Sequence, residues 1–119
     1  MYQNWDNLSK SRKGDIGEIF VVQRALLAGA NVYKNVGCDG SVDLVIESNG
    51  EFVKIDVKTA QKNTRNKNPG HSWQQNRVSA NNDIYLVLYV PDGYGQARWF
   101  RGRQGQAICP AGWENFFDD

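Results

Sequence analysis

Asp43, Asp56 and Lys58 are the residues whose type and spacing carry chemistry in this sequence of 119 residues. Between the two aspartates lies Asn49-Gly50. A type I′ hairpin turn needs φ > 0 at both central residues, and this dipeptide tolerates it. With the turn there, Ser48 opposes Glu51 and, counting back along both strands, Asp43 opposes Asp56. Side chains alternate along a strand. One face of the hairpin therefore carries Val42, Leu44, Ile46, Val53, Ile55 and Val57, all apolar, and the other carries Asp43, Val45, Glu47, Phe52, Lys54, Asp56 and Lys58. Like charges directly opposite each other on a sheet are destabilising, so a cation is expected between the aspartates. Mg²⁺ suits the place, because it is held by one or two carboxylates, keeps several waters and takes up phosphate oxygens. Lys58 points to the same side and adds an ammonium that can steady an attacking water or the charge of a phosphate. The other reading of the same residues is a solvated outer face on which Lys54 and Lys58 neutralise the aspartates.

The hairpin needs elements to hold it. From Gly14 to Ala28 the run GDIGEIFVVQRALLA places Ile16, Ile19, Phe20, Leu26 and Leu27 around one broad side of a helical period, with Gly29 as a stop. Asp15 followed three residues later by Glu18 reads as an N-cap with its N3 glutamate. β-Branched and aromatic runs predict strands at Val32–Val36, Val42–Glu47, Phe52–Lys58 and Ile84–Val90, with a weaker one at Ala97–Arg101. The run Ile84-Tyr-Leu-Val-Leu-Tyr-Val90 is apolar throughout, as expected of a strand covered on both faces. A helix followed mostly by strands gives an α/β or α+β sheet domain. Trp5 and Leu8 are the candidate anchors of the polar N-terminal stretch.

Length and composition bound the rest. The chain is short enough that one domain, residues 1–119, is expected. Hydrophobic residues make up 40% and charged residues 23%, with no apolar run of membrane-spanning length, so a soluble globular protein is expected. The N-terminus has neither a basic start nor an apolar stretch, and the expected location is cytoplasmic. The net charge is +1, so binding to nucleic acid would depend on where charge sits. It sits between Lys58 and Ser79, where KTAQKNTRNKNPGHSWQQNRVS holds Lys58, Lys62, Arg65, Lys67 and Arg77 and no acid. That segment reads as a long functional or solvated loop. One histidine, His71, and two isolated cysteines, Cys38 and Cys109, argue against zinc, and the cysteines read as free thiols.

The order of these features resembles the PD-(D/E)XK nuclease superfamily, with Holliday-junction resolvases and small intron-encoded homing endonucleases as the nearest branches. The likeness runs from Lys13 to Gln61: KGDIGE, then Val42-Asp43, the hairpin, and Asp56-Val57-Lys58. Asp83-Ile-Tyr-Leu-Val-Leu-Tyr-Val-Pro91 is similar to the next core strand. Val42 stands where the motif has proline, and Asp56 where many relatives have glutamate. Proline supplies backbone shape and no ligand, and the motif admits either acid. The resemblance implies a restriction-endonuclease-like α/β core, an N-terminal helix followed by a mixed central sheet. It implies Asp43 and Asp56 as metal ligands, Lys58 as the catalytic lysine, and Glu18 as a further catalytic acid or metal ligand, with Mg²⁺ as cofactor and Mn²⁺ as substitute. The reaction implied is hydrolysis of DNA phosphodiesters.

On that resemblance Lys13, Lys62, Arg65, Lys67, His71 and Arg77 are the candidate DNA contacts, with Lys10, Arg12, Arg98, Arg101 and Arg103 as further phosphate contacts. Few residues remain for reading a long site once the core is built. This favours branched DNA, as in a junction resolvase, over a site-specific homing or restriction-type enzyme acting on duplex. Paired incisions imply a homodimer. Two other readings stay open: a non-catalytic nucleic-acid-binding module that keeps the fold, and a protein-interaction domain with an exposed carboxylate face.

Overall fold

Helix α1 (Lys10–Leu27) begins at Ser9, whose side-chain oxygen accepts a hydrogen bond from the Arg12 N–H at 3.2 Å. The structure is a computed structural model. It describes residues 4–37, 39–62, 71–72, 83–100 and 106–118, with the backbone alone at 61, 62, 71 and 72. Because Ser9 supplies the cap, Asp15 and Glu18 lie inside the helix and the expected cap at Asp15 is not formed. The helix stops where expected, just before Gly29 at φ +83°.

The large apolar residues mark the buried side of α1 only in part: Ile16 and Phe20 are half-buried, Phe20 with its ring centroid 4.9 Å from that of Tyr89. Ile19, Leu26 and Leu27 are exposed, and the buried stripe is Gly17, Val21 and Ala25. The reason is closeness to the sheet. A Cβ on Gly17 would stand 2.5 Å from Thr59 Oγ1 and 3.1 Å from Tyr89 Cβ, so only a small residue lets the helix lie there. Trp5 is buried against Tyr89, with ring centroids 6.0 Å apart, as its anchoring role requires.

The strands are β1 (Asn31–Lys34), β2 (Leu44–Ser48), β3 (Glu51–Thr59), β4 (Gln61–Lys62), β5 (His71–Ser72), β6 (Ile84–Val90) and β7 (Gln96–Trp99). Five of them form one sheet in the order β1-β2-β3-β6-β7. β3 and β6 are parallel and the other neighbours antiparallel. This is the helix and mixed sheet expected of the α/β reading. Asn49 (φ 53°) and Gly50 (φ 80°) form the predicted turn. The predicted register holds from Ser48↔Glu51 to Leu44↔Ile55. Leu86, Val87 and Tyr89 are all buried in β6, and since neighbours point to opposite faces, both sides of this strand are covered.

The core lies between α1 and the sheet face that carries Leu44, Ile46, Val53, Ile55, Val87, Ala97 and Trp99. It is completed by residues 106–118, an irregular tail with no periodic pattern in its sequence. Trp113 and Phe117 are buried there. Trp99 Nε1 donates to Trp113 O at 2.9 Å, and Trp113 Nε1 donates to Glu51 Oε2 at 3.0 Å, fastening the tail to the turn end of the β2–β3 hairpin.

The expected loop after Lys58 contains structure. β3 runs on to Thr59, and β4 pairs with β5 in a separate two-stranded ribbon with Lys62 opposite His71. Arg65, Lys67, Arg77, Arg101, Arg103 and Cys38 lie outside the described residues; Cys109 is a free thiol. No helix among the described residues is long and apolar enough to cross a membrane.

Candidate active site

Asp56 and Lys58 stand two residues apart on β3, so both side chains leave the same face of the sheet. That face is the one turned away from α1, since Gly17 of the helix meets Thr59 and Tyr89 on the other. In the cross-strand rows Asp56 neighbours Leu86, and Lys58 neighbours Leu88 and, beyond it, the exposed Arg98 of β7. Lys58 Nζ is 3.5 Å from Asp56 Oδ1. The Asp56 side chain is 7% exposed and that of Lys58 is 38% exposed, so the ammonium reaches solvent while the carboxylate does not.

Asp43 reaches the pair by a different route from the expected one. The ladder ends at Leu44↔Ile55, and the Asp43 N–H donates to Ile55 O at 2.9 Å. Asp43 and Leu44 thus both face Ile55, as in a β-bulge, and Asp43 does not become the cross-strand partner of Asp56. The displacement frees its side chain for the next backbone group of β3: Asp43 Oδ2 accepts the Val57 N–H at 2.7 Å. That N–H lies where β2 has run out, so the carboxylate takes over the ladder's role for one bond.

The carboxylates of Asp43 and Asp56 still meet. Burial pushes the Asp56 carboxyl up from its ordinary 3.8 to about 6; the Lys58 ammonium opposes this, while the Asp43 charge and a hydrogen bond between the two carboxyls push the same way as burial. Two acids sharing one place, one of them buried, are short of positive charge, and Lys58 supplies only part of it. The donor set fits a hard divalent cation, which takes one or two carboxylates and completes its shell with water and phosphate oxygens.

Glu18 does not join them. Its carboxylate is 3.6 Å from Lys34 Nζ. It projects from α1, on the sheet face opposite to Asp56 and Lys58, and this is the physical reason for its separation. Among the described residues no group of three His, Cys, Asp or Glu lies close enough to hold a metal. Among the described residues the candidate site is thus a pair of carboxylates and a lysine. Lys13 stands over the Trp5 ring, 5.6 Å from its centroid, and Lys10 and Arg12 are exposed at the start of α1. Lys62 and His71 are backbone partners in the β4–β5 register.

Two participants are absent from the sequence reading. The Val57 N–H is a backbone group and leaves no mark in a residue pattern. Asn35 donates through its backbone N–H to Asp43 O at 3.0 Å; its only signal is an asparagine at the head of a glycine-containing connection.

A search of curated protein sequences gives no significant match. Among solved structures, a bacterial homing endonuclease, I-Ssp6803I, is similar, with 30% sequence identity and a TM-score of 0.59 over 75% of this chain and 64% of that one. This chain thus spans less than two thirds of that enzyme's length. The family model described as PD-(D/E)XK endonuclease matches residues 8–91, the stretch that carries α1, the hairpin with Asp43, Asp56 and Lys58, and β6, and the chain belongs to that family.

Proposed function

We propose that this protein is a metal-dependent DNA endonuclease that hydrolyses phosphodiester bonds, with Asp43 and Asp56 holding Mg²⁺, or Mn²⁺ in its place. The observation that carries the reading is the buried Asp56 carboxyl meeting Asp43, with the Lys58 ammonium 3.5 Å away. A divalent cation supplies positive charge against the oxygens of the phosphate. Asp43 is held in place by the Val57 N–H, so it offers its carboxylate without first having to be ordered. Lys58 is bound to Asp56 at one side and open to solvent at the other. It places a fixed ammonium where charge develops on the phosphate or where the attacking water must be oriented.

As to the DNA, the β4–β5 ribbon favours a duplex read at a particular site. It issues directly from the strand that carries Asp56 and Lys58, and a two-stranded ribbon fits the major groove. The likeness to a homing endonuclease supports the same substrate. The branched substrate expected from the sequence rests on the scarcity of elements left for reading bases, and the ribbon adds one. One site cuts one strand, so cutting both takes two copies related by a two-fold axis.

A cleavage panel tests the proposal: four-way junction, flap, single strand, linear duplex and a library of randomised duplexes, each with Mg²⁺, Mn²⁺ or EDTA. Cutting that needs the metal and is lost in Lys58→Ala supports it. Binding without cutting anywhere in the panel would favour the non-catalytic nucleic-acid module. Cutting that persists in EDTA would overturn the metal assignment.

A further inference from the structure

We propose that Asn35 is a positioning residue for Asp43, fixing it where its carboxylate meets both Asp56 and the Val57 N–H. The proposal rests on the reading of Asp43 and Asp56 as the metal-holding pair. Asn35 is the first residue after β1, and Asp43 the last before β2. The connection between them has to turn and deliver Asp43 into a place outside the ladder.

Apolar packing contributes little to the described residues of that connection, where Val42 alone is half-buried. Val36, Gly37, Asp39, Gly40 and Ser41 are all exposed. Asn35 holds it with three donors. Its backbone N–H goes to Asp43 O at 3.0 Å. A side-chain amide has two further N–H groups, and Asn35 Nδ2 donates to Asp39 O at 2.9 Å and to Val42 O at 2.8 Å. Asp43 is consequently gripped on both sides: its carbonyl by Asn35, its N–H by Ile55 O, and the residue before it by the Asn35 amide. Metal-holding side chains need placement to within roughly 0.5 Å, and a solvent-exposed connection bound by fewer bonds would not give it. Asn35 has no contact with the reacting atoms; it acts through Asp43.

The Val57 amide reports the position of Asp43 without metal, DNA or activity. Its hydrogen exchange is measured by NMR in EDTA for the wild type, Asn35→Ala and Asn35→Ser, with the Val53 amide inside the ladder as internal reference; a Mn²⁺ titration of each protein follows. In Asn35→Ala the Val57 amide is expected to exchange roughly tenfold faster, the equivalent of one lost hydrogen bond, with Val53 unchanged. Mn²⁺ affinity is expected to fall about 10- to 100-fold, the scale for groups that orient metal ligands. Asn35→Ser keeps one side-chain donor beside the backbone N–H, is the gentler change to the fold, and should lie between. Val57 as well protected in both variants as in the wild type overturns the proposal. Faster exchange in the variants of a protein that neither binds Mn²⁺ nor cuts DNA would uphold the positioning role and remove the nuclease reading. Unchanged exchange in a protein that does both would remove Asn35 alone.

Discussion

The Asp43 carboxylate accepts the Val57 N–H at 2.7 Å, just past the point where the β2–β3 ladder ends. The side chain thus does two things, completing the hydrogen bonding of β3 and facing Asp56. Asp43→Ala removes the acceptor and leaves a partly buried N–H without one, at a cost of about 1–3 kcal/mol. Urea melts in EDTA check it; an Ala variant as stable as the wild type would mean that water satisfies Val57 equally well.

The raised pKa of Asp56 sets a pH dependence whose sign follows from proton counting. Between its ordinary 3.8 and about 6 the folded protein keeps a proton on Asp56 that the unfolded chain has lost. Stability therefore falls as pH rises through that window. The contribution is fully present below 3.8 and is lost above 6, by up to about 3 kcal/mol in total. Urea melts in EDTA across pH 4–7, with Asp56→Asn as reference, isolate it. Metal and proton compete for the same oxygens, so Mg²⁺ affinity should climb by up to about tenfold per pH unit below 6 and level off above. Affinity independent of pH would separate Asp56 from the metal.

Lys58→Ala should lose about 100-fold or more in cleavage, the scale for removing one electrostatic stabiliser of a transition state, while far-UV circular dichroism stays the same. The Asp56 carboxyl should also titrate at higher pH than in the wild type, because Lys58 is the group that lowers it. Carbon-13 NMR of the carboxyl reads this directly. A midpoint that does not move would mean that the ammonium does not act on Asp56.

Part of this site can be read from the sequence and part cannot, for reasons visible in particular residues. Asn49-Gly50 specifies its turn through backbone sterics, so the pairing of Leu44 with Ile55 follows by counting. Counting fails at Asp43, because a bulge shifts the ladder by one residue and leaves no trace in an alternating pattern. On α1 three of the five large apolar residues mislead. Ile19, Leu26 and Leu27 are exposed, while the closest approach to the sheet is made by Gly17, which has no side chain to register in any periodicity. Glu18 stands at the right distance along the chain to join the aspartates, yet it projects from the helix on the far face of the sheet and binds Lys34. Trp113 and Phe117 complete the core from a tail of turns, where no period marks the buried positions.

Gly17→Ala tests how closely α1 lies on the sheet. The added carbon would meet Thr59 Oγ1 at 2.5 Å and Tyr89 Cβ at 3.1 Å, so the helix must shift, at a cost of about 1–3 kcal/mol. Thr59→Ala in the same chain removes the nearer obstacle and should recover part of the loss. Thermal melts of the single and double variants decide it, and a stabilised Gly17→Ala would show a looser contact.

In the proposed function Asp43 and Asp56 form a like-charged pair held together for a cation. Thermal melting of the wild type and Asp43→Asn, each in EDTA and in saturating Mg²⁺ or Mn²⁺, reads out that pairing. Asparagine keeps an oxygen for the Val57 N–H and removes the charge that faces Asp56. In EDTA, above the pH at which Asp56 ionises, the variant should therefore be the more stable protein, because the charge that opposes ionisation of Asp56 is gone. The wild type should gain stability from the metal and the variant should gain none. A variant that melts lower than the wild type in EDTA at that pH and still gains stability from the metal would contradict the pairing and leave Asp43 an ordinary structural aspartate.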